Sequence, residues 1–303
     1  MGRLTAIVLG SAGGGGYPQW NCLCAACRLA WSGDKRAKPR SQASLAVSAD
    51  GENWTLINAS PDLRAQLMAT PPLRPRAGAR GSPIAAVVLT GAEVDQIAGL
   101  LTLRERQRFT LFATAQTSAT LNANPIFGVL AADVATRSAV APEEPFASPG
   151  GLTAELFAVP GKVPLYLEDG DAPPTVAAED GGNVGAEIGF GFRRLAYVPG
   201  AAAMTQALQQ RLANADVVLF DATLFADDEM ITAGVGEKTG RRMGHMPLAG
   251  EGGSLAALTK LRGRRILTHI NNTNPILIEG SPERNKVEAA GFEVAEDGME
   301  IVL

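Results

Sequence analysis

The stretch Thr90-Gly91-Ala92-Glu93-Val94-Asp95-Gln96-Ile97-Ala98-Gly99-Leu100 decides how the rest of this 303-residue chain is read. It follows a β-branched apolar run at 85–90 that has the composition of a buried strand. A polar turn with two carboxylates comes next, and then apolar residues at helical spacing as far as Arg104. Taken singly, an Asp just past a strand is no more than a helix N-cap. Asp221, however, closes a second such run, Val217-Val218-Leu219-Phe220-Asp221, and His269 closes a third, Leu267-Thr268-His269. Asp95, Asp221 and His269 are therefore hard oxygen and nitrogen donors at the ends of three separate strands, the set a divalent metal requires.

The chain holds one further histidine, His245, in the turn Arg242-Met243-Gly244-His245-Met246-Pro247. There it serves as a ligand, a proton shuttle or an exposed side chain. His269 has its own alternative, a core histidine whose ring nitrogens are satisfied by neighbours.

Strand-like runs recur at 5–9, 44–48, 54–58, 85–90, 110–113, 154–159, 194–198, 217–221 and 265–270. Runs at 292–295 and 299–302 flank Glu296-Asp297-Gly298 and read as a terminal hairpin. Helical patterns fall at 61–68, 94–104, 201–212, 253–261 and 282–290, with Ser60-Pro61 and Ser281-Pro282 as Ser caps ahead of a helix-starting proline. Strands interleaved with helices, and no long charged linker, predict one α/β domain of layered sheets over 1–303. The Gly-, Pro- and acid-rich segment 168–186 reads as a surface insertion.

All three cysteines, Cys22, Cys24 and Cys27, lie in one C-x-C-x2-C cluster. No distant partner exists to cross-link, so a disulfide framework is a poor reading. Three thiolates on a loop at about 20–28 suit a structural zinc knuckle; three buried free thiols is the alternative. The fourth ligand then comes from elsewhere in the chain. The run Gly13-Gly14-Gly15-Gly16 lacks the lysine and the helix-opening pattern of phosphate-binding loops, so backbone flexibility or close approach of a substrate fits it better. A formal charge of −4 argues against nucleic acid as a partner. No apolar run approaches the ~20 residues of a membrane span, and the N-terminus reads as a strand, not a signal peptide. A cytoplasmic protein is the expectation, and a homodimer is compatible with it.

Residues 90–100 resemble the T-H-x-H-x-D-H-x-x-G-L motif of the metallo-β-lactamase superfamily. Asp95 and Gly99-Leu100 match, while Gly91, Glu93 and Gln96 stand where the motif has histidines. The whole chain is similar to one branch of that superfamily, the pyrroloquinoline quinone (PQQ) biosynthesis protein B family. The likeness is carried by residues 9–15, Pro18-Gln19-Trp20-Asn21-Cys22, Asn58-Ala59-Ser60-Pro61-Asp62, residues 159–165, Arg242-Met243-Gly244-His245 and residues 269–275.

The resemblance implies a four-layer αββα sandwich with the site at the strand ends between two sheets. It implies a structural zinc on Cys22, Cys24 and Cys27, with Asn272 or a neighbour in the fourth position. It also implies a second, mononuclear centre, apart from the thiolates, that binds Fe2+ and draws its ligands from Glu93, Asp95, Gln96 and His269. Asp221 would be a further ligand or an orienting group, and His245 would handle protons. The implied activity is an iron-dependent oxygenase that hydroxylates the tyrosine ring of a cross-linked Glu–Tyr fragment of the PQQ precursor peptide. Carriage of PQQ or its precursor towards the periplasm is the alternative. Relatives commonly keep Asp-His where this chain has Asp95-Gln96, and the loss of the motif histidines argues against a dinuclear hydrolase.

Overall fold

The computed structural model describes residues 2–168 and 181–303. Along β1 (Thr5–Gly10), Ala6 and Val8 face one way and Ile7 and Leu9 the other, and both rows are buried. A strand covered on both faces needs a layer on each side. The first sheet continues with β2 (Ser44–Ser48), β3 (Trp54–Ile57), β4 (Ile84–Val88), β5 (Phe109–Ala113) and β6 (Ala135–Ala139). The second comprises β7 (Phe146–Ser148), β8 (Leu152–Ala158), β9 (Val184–Phe190), β10 (Arg193–Val198), β11 (Val217–Asp221), β12 (Arg264–Thr268) and β13 (Glu293–Val294). A last strand, β14 (Glu300–Val302), returns to the first sheet. The orders are β14-β1-β2-β3-β4-β5-β6 and β13-β12-β11-β10-β9-β8-β7. In each sheet one half is antiparallel and the other parallel, running from β3 to β6 and from β10 to β13.

Val8, Val47 and Val88 of one sheet meet Leu156, Leu195 and Leu219 of the other in a shared core. The outer rows pack under helices: Leu9, Leu56 and Leu111 against Leu63, Ile97 and Leu121, and Val198, Phe220 and Leu267 against Leu208, Leu258 and Val287. The result is the expected αββα sandwich. Each fully buried aliphatic side chain contributes about 1.5–3 kcal/mol of transfer free energy, so three such layers supply the driving force.

The structure differs from the sequence reading in several places. The terminal pair is no hairpin: β13 pairs with β12 and β14 with β1, so the Glu296-Asp297-Gly298 turn passes the chain between sheets. Ser281 caps its helix by accepting from the Arg284 N–H. Ser60 does not cap, because its hydroxyl goes to Gln66 Oε1 and the helix begins only at Leu63. The 94–104 pattern breaks into an α-helical turn, Val94–Ile97, and a 3-10 stretch, Ala98–Arg104. The helix read at 201–212 begins at Gln206, capped by Thr205. Most of the proposed insertion lies outside the described residues, and its last part, from Val184, belongs to β9.

One end of the sandwich is stitched across the sheets. Gly13 N donates to Ile270 O (2.8 Å), Ile270 N to Ser11 O (2.9 Å) and Val184 N to Thr90 O (2.9 Å). The Asp297 carboxylate accepts from the backbone N–H and hydroxyl of both Ser11 and Ser41. The loop after β1 is thereby held over the strand ends that carry the candidate donors.

Candidate metal centre

Asp221, the last residue of β11, is wholly buried. Its carboxylate accepts from Ala201 N (3.0 Å), Thr223 N (2.9 Å) and Thr223 Oγ1 (2.6 Å), and His245 Nδ1 lies 2.7 Å away. A buried carboxylate is tolerated only with this degree of satisfaction. Burial alone would raise its pKa, but the His245 imidazole, its hydrogen bond and His269 hold it below the usual range. The turn at 242–247 thus delivers His245 to the site; the ring is not an exposed side chain.

His269 follows β12 with a left-handed backbone, φ 56°, which costs a non-glycine residue about 1–2 kcal/mol. Hydrogen bonds on the next residues, Ile270 N to Ser11 O and Asn271 N to Thr223 O, hold it there. Its Nε2 lies 2.9 Å from Asp95 Oδ2, and its Nδ1 lies 2.8 Å from Thr223 Oγ1, whose proton goes to Asp221. With the Thr223 hydroxyl donating to Asp221, both ring nitrogens face acceptor oxygens, an environment that favours the protonated ring. Burial would lower its pKa, yet the Asp95 hydrogen bond and the Asp95 and Asp221 charges outweigh it and raise it. In the same exchange burial pushes Asp95 up, and the His269 bond and charge carry it below its ordinary value. Two carboxylates, one wholly buried, thus favour positive charge at a metal-ligating type of side chain, and a divalent cation can supply that charge in place of a proton. Ligand atoms of Asp221, His245 and His269 all lie within 4.8 Å of one another. The donors fit an ion.

A pH dependence follows. His269 has a folded pKa above the unfolded value of about 6.5, so its contribution to stability is fully present below that pH. It is lost as pH rises through the folded pKa. Without metal at this cluster, thermal stability is expected to fall as pH rises above about 6.5, and His269→Asn, which suits the left-handed backbone, should flatten that slope. Metal affinity should move the opposite way, rising with pH, because binding displaces the ring proton. Thermal melts of both proteins from pH 6 to 9 check this; identical slopes contradict it.

Two expected ligands are directed elsewhere. Glu93 and Gln96 form a capping box on the Val94–Ile97 turn, with Gln96 Oε1 accepting from Glu93 N (3.1 Å). A side chain at Gly91 would meet that same Gln96 oxygen at 2.5 Å, so Gln96 folds back over position 91. Glu93 pairs with Lys162 Nζ at 3.3 Å. Of the four proposed ligands, only Asp95 and His269 share a direct contact. The residue that sequence reasoning missed is Thr223, whose hydroxyl touches Asp221, His245 and His269 together. Its position two residues past Asp221 was the available signal.

The cluster lies against a cleft of about 560 Å3 between the two sheets' end loops, lined by Gly13, Gly14, Asp95, Lys162, His245 and His269 among others. A Cβ at Gly13 would come within 3.5 Å of the His269 ring and one at Gly14 within 3.8 Å of Asp95. Side chains there would narrow the approach without a clash. Gly15 and Gly16 are required differently, by φ of 92° and 71°.

The three cysteine sulfurs also converge within 4.8 Å of one another. The Asn272 side-chain amide sits over them, 3.2 Å from Cys22 Sγ and 3.3 Å from Cys27 Sγ. Burial pushes the Cys24 thiol up to about 12. Burial also works against Cys22, but the Cys24 backbone N–H, the neighbouring thiols and the Asn272 amide hold it below its ordinary value. Asn272 is three residues from His269, so the thiolate site and the cleft cluster hang on one loop and are not independent features.

Residues 53–270 match a family described as the Beta-lactamase superfamily domain. The chain is 58% identical over 301 residues to the coenzyme PQQ synthesis protein B of Methylobacterium nodulans, covering 99% of this chain and all of that protein. The crystal structure of Zn2+-bound PqqB from Methylobacterium extorquens superposes with a TM-score of 0.96 at 54% identity, over 99% of this chain and 100% of that one. This chain belongs to the coenzyme PQQ synthesis protein B family. A diphosphatase of the PhnP family, at 24% identity and a TM-score of 0.66, shares the fold. Within the PQQ synthesis protein B family, Asp95, Asp221, His245, His269 and the thiolate cluster are the donor groups this member brings together. No helix among the described residues is long and apolar enough to cross a membrane.

Proposed function

We propose that this chain carries out an oxidative step of PQQ biosynthesis in the cytoplasm, hydroxylating the tyrosine ring of a cross-linked Glu–Tyr fragment with O2 at a single Fe2+. The observation that carries this reading is the two-histidine, one-carboxylate cluster of His245, His269 and Asp221 at the cleft. That ligand pattern suits non-haem iron, and it leaves positions open. Asp95 stands beside it as a further oxygen donor. When bound, the iron would supply activation of O2, which no side chain here provides. Asp221 keeps His245 in one orientation through Nδ1, and Thr223 sets the distance between the two imidazoles. In the absence of the ion, Asp95 holds the His269 proton at Nε2. The Gly13-Gly14 backbone leaves room for a planar ring to approach the cluster.

At the other site we assign a structural Zn2+ to Cys22, Cys24 and Cys27, with the fourth position filled by Asn272 through an oxygen or by a neighbour; the Zn2+-bound relative and the converging sulfurs support it. Hydrolysis is supported by fold alone, and fold does not fix chemistry.

Oxygen uptake by iron-loaded protein with the cross-linked fragment and ascorbate as electron donor tests the proposal. The expected result is iron-dependent consumption with gain of one oxygen atom on the tyrosine ring. No iron-dependent consumption removes it. One observation favours a carrier of PQQ or its precursor instead: Gln96, in the place of a motif histidine, is spent on a helix cap. Tight PQQ binding that survives metal removal, without turnover, would establish that second reading.

A further inference from the structure

Three cations converge on Glu168, a carboxylate of the cleft wall: Lys162 and Lys238 line the cleft with it, and Arg242 reaches it from the turn before His245. Glu168 lies 2.9 Å from Lys162 Nζ, 3.5 Å from Arg242 Nη1 and 3.9 Å from Lys238 Nζ, and its side chain is buried. The Lys162 side chain is buried too, and its ammonium also meets Glu93 and the Val163 carbonyl. Arg242 Nη1 is buried and makes no hydrogen bond among the described residues, nor does Glu168 Oε1. Among the described residues three cations face two carboxylates, and the attraction at Glu168 is carried by charge more than by well-formed hydrogen bonds.

The placement of Lys162 is built into the fold. Gly244, at φ 85°, packs directly on its stem: a Cβ there would meet Lys162 Cγ at 2.9 Å. Gly244 precedes His245, so the ammonium stands on the same turn that delivers a donor to the metal cluster. Lys162, Lys238, Glu93, Glu168 and His245 all line the one cleft.

We propose that Lys162, Lys238 and Arg242 form a carboxylate-binding subsite, and that Glu168 is the chain's own carboxylate resting in it. A substrate carrying one or more carboxylates displaces Glu168 from Lys162 and Arg242, and this directs the rest of the molecule at the cluster of His245 and His269. Exchange of one carboxylate for another keeps the cations paired throughout, so no buried charge is stranded at any stage. The subsite rests on the cleft being the place where PQQ or a precursor binds, and it names acidity as the property selected.

Calorimetric titration with PQQ, a tricarboxylate, and with its neutral trimethyl ester tests the subsite on the full chain. Lys162→Met should weaken PQQ binding about tenfold or more, the value of a charge-assisted hydrogen bond, and leave the ester unaffected. Glu168→Gln should strengthen PQQ binding several-fold, because it removes the internal competitor. A merely structural Lys162–Glu168 pair would make both substitutions weaken binding, and that result overturns the proposal. Equal affinity for acid and ester overturns it as well. So does a wild-type protein that binds neither, while metal stoichiometry at the cleft, measured on the same samples, decides the metal centre separately.

Discussion

Asp221→Asn is expected to lower metal affinity at the cleft by at least 10–100-fold, the range seen when a group orienting a ligand is lost, and to abolish iron-dependent turnover. The substitution keeps the volume but loses the charge, and it turns an NH2 group towards two of the four donors, either Thr223 N and Oγ1 or Ala201 N and His245 Nδ1. A buried donor left without an acceptor costs about 1–3 kcal/mol, so the protein should also melt earlier. Zinc at the cysteines should remain equimolar with the chain. Metal analysis after dialysis and a thermal melt measure both effects. Retention of iron at the wild-type level would remove Asp221 from the centre.

Cys27→Ser should act from the other side of the same loop. Cys27 is wholly buried beneath Asn272, and it is one of three sulfurs tying 20–28 to 272. Structural zinc contributes folding free energy outright. Loss of a few kcal/mol in a chain of this size lowers Tm by about 10 °C. Iron affinity at the cleft should fall with it, since Asn272 and His269 share one loop and the left-handed backbone at His269 is maintained by its neighbours. Calorimetry and metal analysis of the variant check this. Unchanged iron affinity after zinc loss would show the two sites to be uncoupled.

The sandwich was legible because most strands carry unbroken apolar runs. Strands 44–48 and 217–221 fall where composition places them. The strands that escaped notice fail that signal for physical reasons. β6 is an edge strand with Thr136, Arg137 and Ser138 at its centre, and β9 is interrupted by Gly185, Glu187 and Gly189. Gly185 is needed there, since a Cβ would meet the Phe157 ring at 2.3 Å. The terminal hairpin failed because turn chemistry at Glu296-Asp297-Gly298 is local, whereas the choice of partner strand is made by two different cores.

At the site, strand-end position correctly brought Asp95, Asp221 and His269 together, since parallel strands end on one side of a sandwich. Glu93 and Gln96, expected as ligands from the resemblance, are found here in a capping box, a use that a family motif does not distinguish from metal binding. Thr223 was missed because a hydroxyl carries no chemical signature until its neighbours are in place. Lys238, in the cleft wall, and Arg242, which meets the same Glu168, are brought together only by the tertiary structure.

Two separate ions are expected in this chain, one among sulfurs and one among imidazoles and carboxylates. Anomalous scattering from crystals soaked anaerobically with Fe2+, recorded on both sides of the iron and zinc edges, measures this directly. The account predicts a zinc signal enclosed by Cys22, Cys24, Cys27 and Asn272 and an iron signal within bonding distance of Asp221, His245 and His269. A map with no signal between those three side chains, or with iron bound by Glu93 and Gln96 instead, would contradict it.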